Sequence, residues 1–513
     1  MEYLVVGSGF GGAFSALQLS KAGKEVAVIE RGVWPDRDES CWDESKLYYP
    51  IPKYRGHVPI LVDQREGPLQ EVWPEDTVGG MSTMYGAAAY RFREEDFLGA
   101  PDGETGGRDQ SSAWPVDYAT MEPFYLEAER IQHVAGVEGE DITEPPRSAP
   151  FPQKSPELSR PSKRIWDAAE KLGLHPAHIP LAINFDGNSP GKTCIRCDTC
   201  DKFLCRIRAK NDLTVVALPE AMAHGAEIVP DTRVVRINVS GDRAVSVDVI
   251  HQSTGRCQRI KAEYVILSCG AVWTPYLLLV SGIRSCGGGQ NLIGRGLLRH
   301  ANSVTTGLSI TPVNPEHKLH KLVWIPDFYH GHPCPEKDPH GPWGTIQQIH
   351  IPGRLTLQAN SPRGLKTAAA TASGLLMGLL NIAEDERNES NRVFPDPSAR
   401  DKFGQPMLRV FHRYSPRDIR ARKALEREAR KILRRADAVP SYTYLVESCS
   451  HATGTCRFGH NRESSVLDPD CRVWGFENLF VVDASFMPSS SSLNPSLTIA
   501  ANAIRVSRAM LNP

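Results

Sequence analysis

The first thirty residues, "MEYLVVGSGFGGAFSALQLSKAGKEVAVIE", constrain the fold more than any other part of the chain. A short apolar strand within Glu2 to Val6 runs into Gly7, Gly9 and Gly12, spaced as G-x-G-x-x-G. The periodic residues Ala13, Ala16, Leu17 and Leu19 predict a helix that Lys21–Ala22–Gly23 ends. "EVAVIE" reads as a second strand ending at Glu30. The order has a physical meaning. Gly7 permits the tight turn, Gly9 lets a pyrophosphate approach the backbone, and Gly12 lets helix and strand pack closely. The helix N-terminus offers N–H groups and a positive dipole end to phosphates. Glu30 stands where an acid accepts hydrogen bonds from ribose hydroxyls. This is a dinucleotide-binding unit. The motif alone does not separate FAD from NAD, and the acid at Glu30 disfavours NADP.

Bulk properties exclude other classes. The chain has 513 residues, 41% hydrophobic and 23% charged, with a formal net charge of −1. That length suggests roughly two to four domains. The neutral balance gives no general field for nucleic acid or an anionic membrane. The opening "MEYLVVGSGF" lacks a basic segment and a long apolar run, so no signal peptide is expected and a cytoplasmic location is. No transmembrane helix is expected. "GLLMGLLNIAED", Gly374 to Asp385, is too short and reads as a buried strand or short helix.

Two C-terminal segments carry further chemistry: "HATGTCRFG" from His451, and "FENLFVVDASFMPSSSSLNPSLTIAANAIRVSRAM" from Phe476. In the second, a strand is expected to end at Asp483, where the carboxylate suits nucleotide or ribityl hydroxyls. A helix is expected to open near Asn494, a residue type that also caps helices.

Taken in order, the motifs resemble the glucose–methanol–choline (GMC) oxidoreductase family of FAD-dependent enzymes. The matching segments are "GSGFGG" with Glu30, "TVGGMSTMYGAAAYRFREEDF" from Thr77, "WPVDYATMEPFYLEAERIQHVAG" from Trp114, "GAVWTPYLLLVSG" from Gly270, "NLIGRGLLRH" from Asn291, and the C-terminal pair. "VGGMSTM" is similar to pyranose oxidases, and "YGAAAYRFREEDF" to flavin dehydrogenases of aminoglycoside alcohols. The resemblance implies an α/β fold: a Rossmann-like FAD-binding domain of three layers (ββα), with an inserted substrate domain of antiparallel sheet and helices. The FAD domain would take residues 1–110, 190–300 and 440–513, and the substrate domain 111–189 and 301–440.

The implied reaction oxidises an alcohol of a sugar, glycoside or polyol to a carbonyl, with hydride passing to flavin N5. Oxygen or an unknown acceptor would reoxidise the flavin. His451 matches the family's catalytic histidine and would be the base. Asn494 takes the second position of the pair, where it hydrogen-bonds the same oxygen but cannot take the proton. The resemblance also implies FAD contacts at Gly7, Gly9, Phe10, Gly11, Gly12, Glu30 and Arg31, and at Val234 for the adenine. Gly79, Gly80, Ser82, Thr83, Met84, Gly86 and Ala87 would line the ring. Gly270, Ala271, Asp483, Ala484 and Pro495 complete the set. In pyranose oxidases the residue matching Met84 is a histidine bonded to the flavin. Methionine cannot form that link, so non-covalent FAD is implied.

"TCIRCDTCDKFLC" places Cys194, Cys197, Cys200 and Cys205 within one short run. Four thiolates so spaced suit a tetrahedral site or an iron–sulfur cluster, but the common bacterial ending C-x3-C-P is missing. Some electron-transferring relatives carry a cluster there, and the alternative function is therefore an iron–sulfur flavoprotein passing electrons from a sugar alcohol to a protein partner. The expectation is a structural loop of free or paired thiols without metal. The stretch from Pro326 to Gly344, with His330, His332, Cys334 and His340, reads as a long solvated loop without ligand spacing. Residues Arg417 to Arg435 hold nine basic and three acidic side chains. They read as a solvated amphipathic helix with Ile419, Leu425, Ile432 and Leu433 inward.

Overall fold

The computed structural model describes residues 1–64, 68–99, 112–287, 290–331, 343–361, 363–364, 366–446 and 448–512. Its central element is a parallel five-stranded sheet in the spatial order Leu479–Val481, Tyr264–Leu267, Tyr3–Val6, Val26–Ile29, Glu227–Val229. Val5 lies opposite Ile266 on one side and Val28 on the other. The first two strands of the chain are buried at every residue. Parallel strands covered on both faces need continuous apolar runs, and "YLVV" and "VAVI" supply them.

Helices cover one face. The helix Phe10–Lys21 is almost wholly buried because it lies between the sheet and the helices Ser496–Leu511 and Ala217–Ala223. An antiparallel meander of Thr232–Ser240, Arg243–His251 and Cys257–Lys261 packs on the other side. Helix layer, parallel sheet and meander make the three layers expected from the sequence.

A second sheet has six strands in the order Ala438–Leu445, Ser303–Ser309, Leu376–Ile382, Thr345–Ile349, Val323–Ile325, Ala177–His178. All its pairings are antiparallel. The apolar "LMGLLNI" is thus an inner strand. The helix Pro416–Arg435 backs this sheet, started by a capping box in which the Ser415 and Asp418 side chains each accept a backbone N–H. Leu425, Ile432 and Leu433 are buried, with Ala421, Ala424 and Ala429 beside them, while Ile419 is only half-buried. A four-stranded sheet joins Ile60–Asp63 and Gln70–Val72 to Arg392–Arg400 and Pro406–Phe411, so early and late chain meet there. In the long loop, His332, Cys334 and His340 lie outside the described residues.

The first turn is built to tight tolerance. Gly7 has φ +96°, a conformation that side chains disfavour. A methyl on Gly12 would lie 1.9 Å from the Gly7 carbonyl oxygen and 3.1 Å from Val5 Cγ1. Gly12→Ala should therefore lower stability by about 1–3 kcal/mol, the usual range for overpacking. An unchanged urea midpoint would show that helix and strand can separate freely.

Candidate active site

The glycine turn, the Gly79 loop and the C-terminal strand converge at the C-terminal edge of the parallel sheet, the usual place for a ligand in such sheets. A Cβ built on Gly9 meets nothing closer than 4.0 Å, whereas one on Gly11 would lie 2.4 Å from the Val482 carbonyl oxygen. Gly9 therefore faces open space at the helix N-terminus, and Gly11 packs. Phe10 sets its ring on Tyr85, 5.6 Å between centroids.

The buried Glu30 carboxylate accepts from the Ser8 N–H at 2.8 Å and hydroxyl at 2.6 Å, and from the Gly32 N–H at 2.7 Å. A carboxylate has about four acceptor sites, so one is left for a ligand hydroxyl. The Ser8 hydroxyl oxygen also accepts from the Gly79 N–H at 2.8 Å, tying the two glycine loops together. Arg31 pairs with Asp76 at 2.8 Å and stacks on Trp273. Val234 lies in the meander strand whose first residue, Thr232, donates to the Glu30 carbonyl.

The Gly79 loop holds itself. Gly79 and Gly80 have φ +88° and +56°. Ser82 Oγ donates to the Gly79 carbonyl at 2.7 Å, and the Thr83 hydroxyl lies 3.0 Å from that of Thr77. These two hydroxyls shape the loop. Met84 is buried in an apolar cluster with Cys41, Leu47, Tyr54, Phe203 and Leu204. A Cβ on Gly86 would lie 2.0 Å from Lys321 Nζ, so Lys321 rests on that backbone, paired with Asp201 at 3.3 Å. The buried Ala87 accepts at its carbonyl from the Ala182 N–H.

Asp483 takes a different role from the one expected of its carboxylate. Oδ2 accepts from the Gly270 N–H at 3.0 Å and Thr274 Oγ1 at 2.5 Å, and Oδ1 from the Ser485 N–H at 2.9 Å and Oγ at 2.5 Å. The side chain is spent inside the protein because it caps one helix start and one short turn at once. Ala271 accepts from Thr455 Oγ1 at 2.7 Å, and Ala484 from the Gly454 N–H. Pro495 directly precedes the helix Ser496–Leu511.

These last contacts bring in His451. His451 Nε2 lies 3.2 Å from Asn494 Nδ2, and its Nδ1 lies 3.2 Å from Nδ1 of His300. Asn494 Oδ1 accepts from Gln347 Nε2 at 3.0 Å. Gln347 Oε1 is buried without a protein partner, an acceptor that a ligand or water donor would satisfy. His451 is pushed down to about 3 by burial first, then by His300 and Lys321, against Asp201. Burial lowers His300 as well. Both rings are neutral at neutral pH, the state a base requires.

The four cysteines of the short run are free thiols. Cys194, Cys197 and Cys205 accept hydrogen bonds at sulfur from the Arg196 N–H, Thr199 Oγ1 and the Ala209 N–H. Burial pushes the Cys194 thiol up to about 12 and raises Cys200 further. Among the described residues no group of three or more His, Cys, Asp or Glu is placed to hold a metal ion.

Sequence comparison decides the family. The N- and C-terminal models of the GMC oxidoreductase family match residues 70–302 and 388–503. The chain belongs to the GMC oxidoreductase family. It is 29% identical to 6'''-hydroxyparomomycin C oxidase of Streptomyces lividus, over 99% of this chain and 91% of that one. It is 28% identical to paromamine 6'-oxidase of Streptomyces fradiae, over 99% and 91%. The fold is similar to that of pyridoxine 4-oxidase from Mesorbium loti, with a TM-score of 0.69 at 19% identity over 100% and 99%. In this GMC oxidoreductase, sequence reasoning missed Gln347, Lys321, Asp201 and the part played by His300. His300 ends a motif seen in the sequence, but its partners are distant in the chain. Gln347 sits in a strand with no motif at all.

The neutral histidines set an acid limit. His451 binds a proton in the unfolded chain near pH 6.5 but in the folded protein only near 3. Stability therefore falls as pH drops through that window. His451→Gln should flatten the fall, read from urea midpoints between those values. An unaltered slope would overturn the assigned neutral state.

Proposed function

We propose that this GMC oxidoreductase is an FAD-dependent enzyme that oxidises an alcohol carbon of a sugar, glycoside or polyol to a carbonyl. His451 accepts the hydroxyl proton, and Asn494 hydrogen-bonds the same oxygen. The observation that carries the reading is the His451–Asn494 contact, with chain directly after His451 tied to Ala271 and Ala484. Bound FAD supplies the two-electron acceptor that takes the hydride from the carbinol carbon.

The residues present fit that cofactor. Gly9 leaves the helix N-terminus open to a pyrophosphate, and Glu30 keeps an acceptor site for a ribose hydroxyl. Gly7, Phe10, Gly11 and Gly12 shape that cradle, with Arg31 and Val234 toward the adenine. Gly79, Gly80, Ser82, Thr83, Met84, Gly86 and Ala87 form the ring-side wall. Gly270, Ala271, Ala484 and Pro495 close it, and Asp483 contributes through its main chain. We take the FAD domain as residues 1–110, 190–300 and 446–513 and the substrate domain as 111–189 and 301–445, moving the last boundary from 440 because the strand Ala438–Leu445 pairs within the six-stranded sheet. FAD is held without a covalent bond, because the Met84 side chain is turned into its apolar cluster and has no nucleophilic nitrogen. The likeness to aminoglycoside oxidases supports a sugar alcohol as substrate.

Acid precipitation of the purified protein should release all the yellow flavin into the supernatant. Flavin retained in the pellet would overturn non-covalent binding. Stoichiometric iron and acid-labile sulfide would replace this reading with the iron–sulfur flavoprotein. With a panel of sugar alcohols that includes paromamine, His451→Ala should slow anaerobic flavin reduction by about 10²–10⁴-fold, the range for loss of a general base. An unchanged rate with the best substrate would remove His451 from the mechanism.

A further inference from the structure

The His300 ring is buried between a carbonyl and a second imidazole. Its Nε2 lies 3.1 Å from the Ser490 carbonyl oxygen, and its Nδ1 3.2 Å from His451 Nδ1. A carbonyl only accepts, so His300 Nε2 carries the proton. A neutral imidazole has one N–H, which makes His300 Nδ1 an acceptor. The proton between the two rings then belongs to His451 Nδ1, and His451 Nε2 keeps its lone pair. Asn494 must present its Nδ2–H to that atom, and its Oδ1 is left to accept from Gln347. The observed contacts agree at every step. One carbonyl thus sets the direction of the whole chain from Ser490 to Gln347.

We propose that His300 is a positioning residue that locks His451 in the Nδ1–H tautomer, leaving Nε2 as the atom that takes the substrate proton once the substrate hydroxyl displaces the Asn494 N–H from that lone pair. The proposal rests on the reading of His451 as the base. When His451 gains a proton at Nε2, its Nδ1–H bond to His300 becomes charge-assisted and so stronger. His300 has no onward route for the proton, because its other nitrogen already donates to the Ser490 carbonyl. The scaffold holds the ring from several elements. Asp385 accepts the His300 backbone N–H at 3.1 Å, and Tyr414 donates its hydroxyl to the His300 carbonyl at 2.7 Å. His300 has φ +55° and His451 +61°, conformations that aim the two rings at each other. The other charged groups acting on His451 are Lys321 and Asp201, and on His300 Asp385.

The test is long-range ¹H–¹⁵N NMR of the FAD-loaded protein labelled with ¹⁵N-histidine, at neutral pH and without substrate. The His451 signals are identified by their loss in His451→Gln. The wild type should show Nδ1 protonated and Nε2 bare at His451. His300→Ala should lose that tautomer, wholly or to a mixture. His300→Asn should restore it, because Asn Oδ1 sits where imidazole Nδ1 did and asparagine tolerates positive φ. Neither variant supplies the donor to Ser490, so their difference isolates the acceptor. An Nε2–H tautomer in the wild type or in His300→Asn, or an unchanged tautomer in His300→Ala, would overturn the proposal. If His300→Ala does not fold, the other two spectra still decide. The measurement needs no turnover. A His451→Gln enzyme that still reduced its flavin at the normal rate would sink the base assignment and leave the tautomer result standing.

Discussion

The site is held together by one buried carboxylate. Asp483 joins the start of the helix Gly270–Val280 to the C-terminal strand through four acceptor contacts. Burial raises its pKa, and the four donors pull the other way. Such a group is stable only with every lone pair used, since an unpaired buried charge costs several kcal/mol. The position is also electrostatically apt, because a helix N-terminus attracts negative charge. With Asp483 in place, the segment after His451 docks on Ala271 and Ala484, and the helix after Asn494 packs on the first helix of the chain.

The chemistry at the site depends on polarity without charge. His451 and His300 are both held neutral by burial, and the directional information comes from a backbone carbonyl rather than from a carboxylate. A carboxylate partner would raise the affinity of His451 for a proton. A second imidazole fixes its orientation and lowers that affinity instead. Lys321, resting on Gly86 beside its partner Asp201, adds a further push toward the neutral form.

The cysteine run belongs to the scaffold around this site. The buried Lys210 donates to the carbonyls of Tyr85, Cys200 and Phe203, so the cysteine loop is stitched to the loop that carries Gly86 and Ala87. The thiols are half-buried, with three of the sulfurs accepting hydrogen bonds.

The strand–turn–helix–strand at the start was legible because its determinants are local: apolar periodicity, glycines at fixed offsets, and an acid at the next strand end. His451 and Asn494 were legible through the resemblance of whole motifs. The basic helix was legible from its apolar periodicity, but Ile419 is only half-buried and the charged Arg417, Asp418 and Glu426 are buried, because ion pairs and the capping box are not visible in a periodicity. What the sequence by itself determined is the kind of ligand cradle and the pair of residues beside it. Only the tertiary structure decided that the Asp483 carboxylate is an internal clamp, that Met84 points into an apolar cluster, and that His300 and Gln347 flank the His451–Asn494 pair. Those contacts join residues 151 and 147 positions apart. Hydrogen bonds at such separation leave no periodic trace in a sequence. They exist only once two sheets and the C-terminal helix have packed around one site.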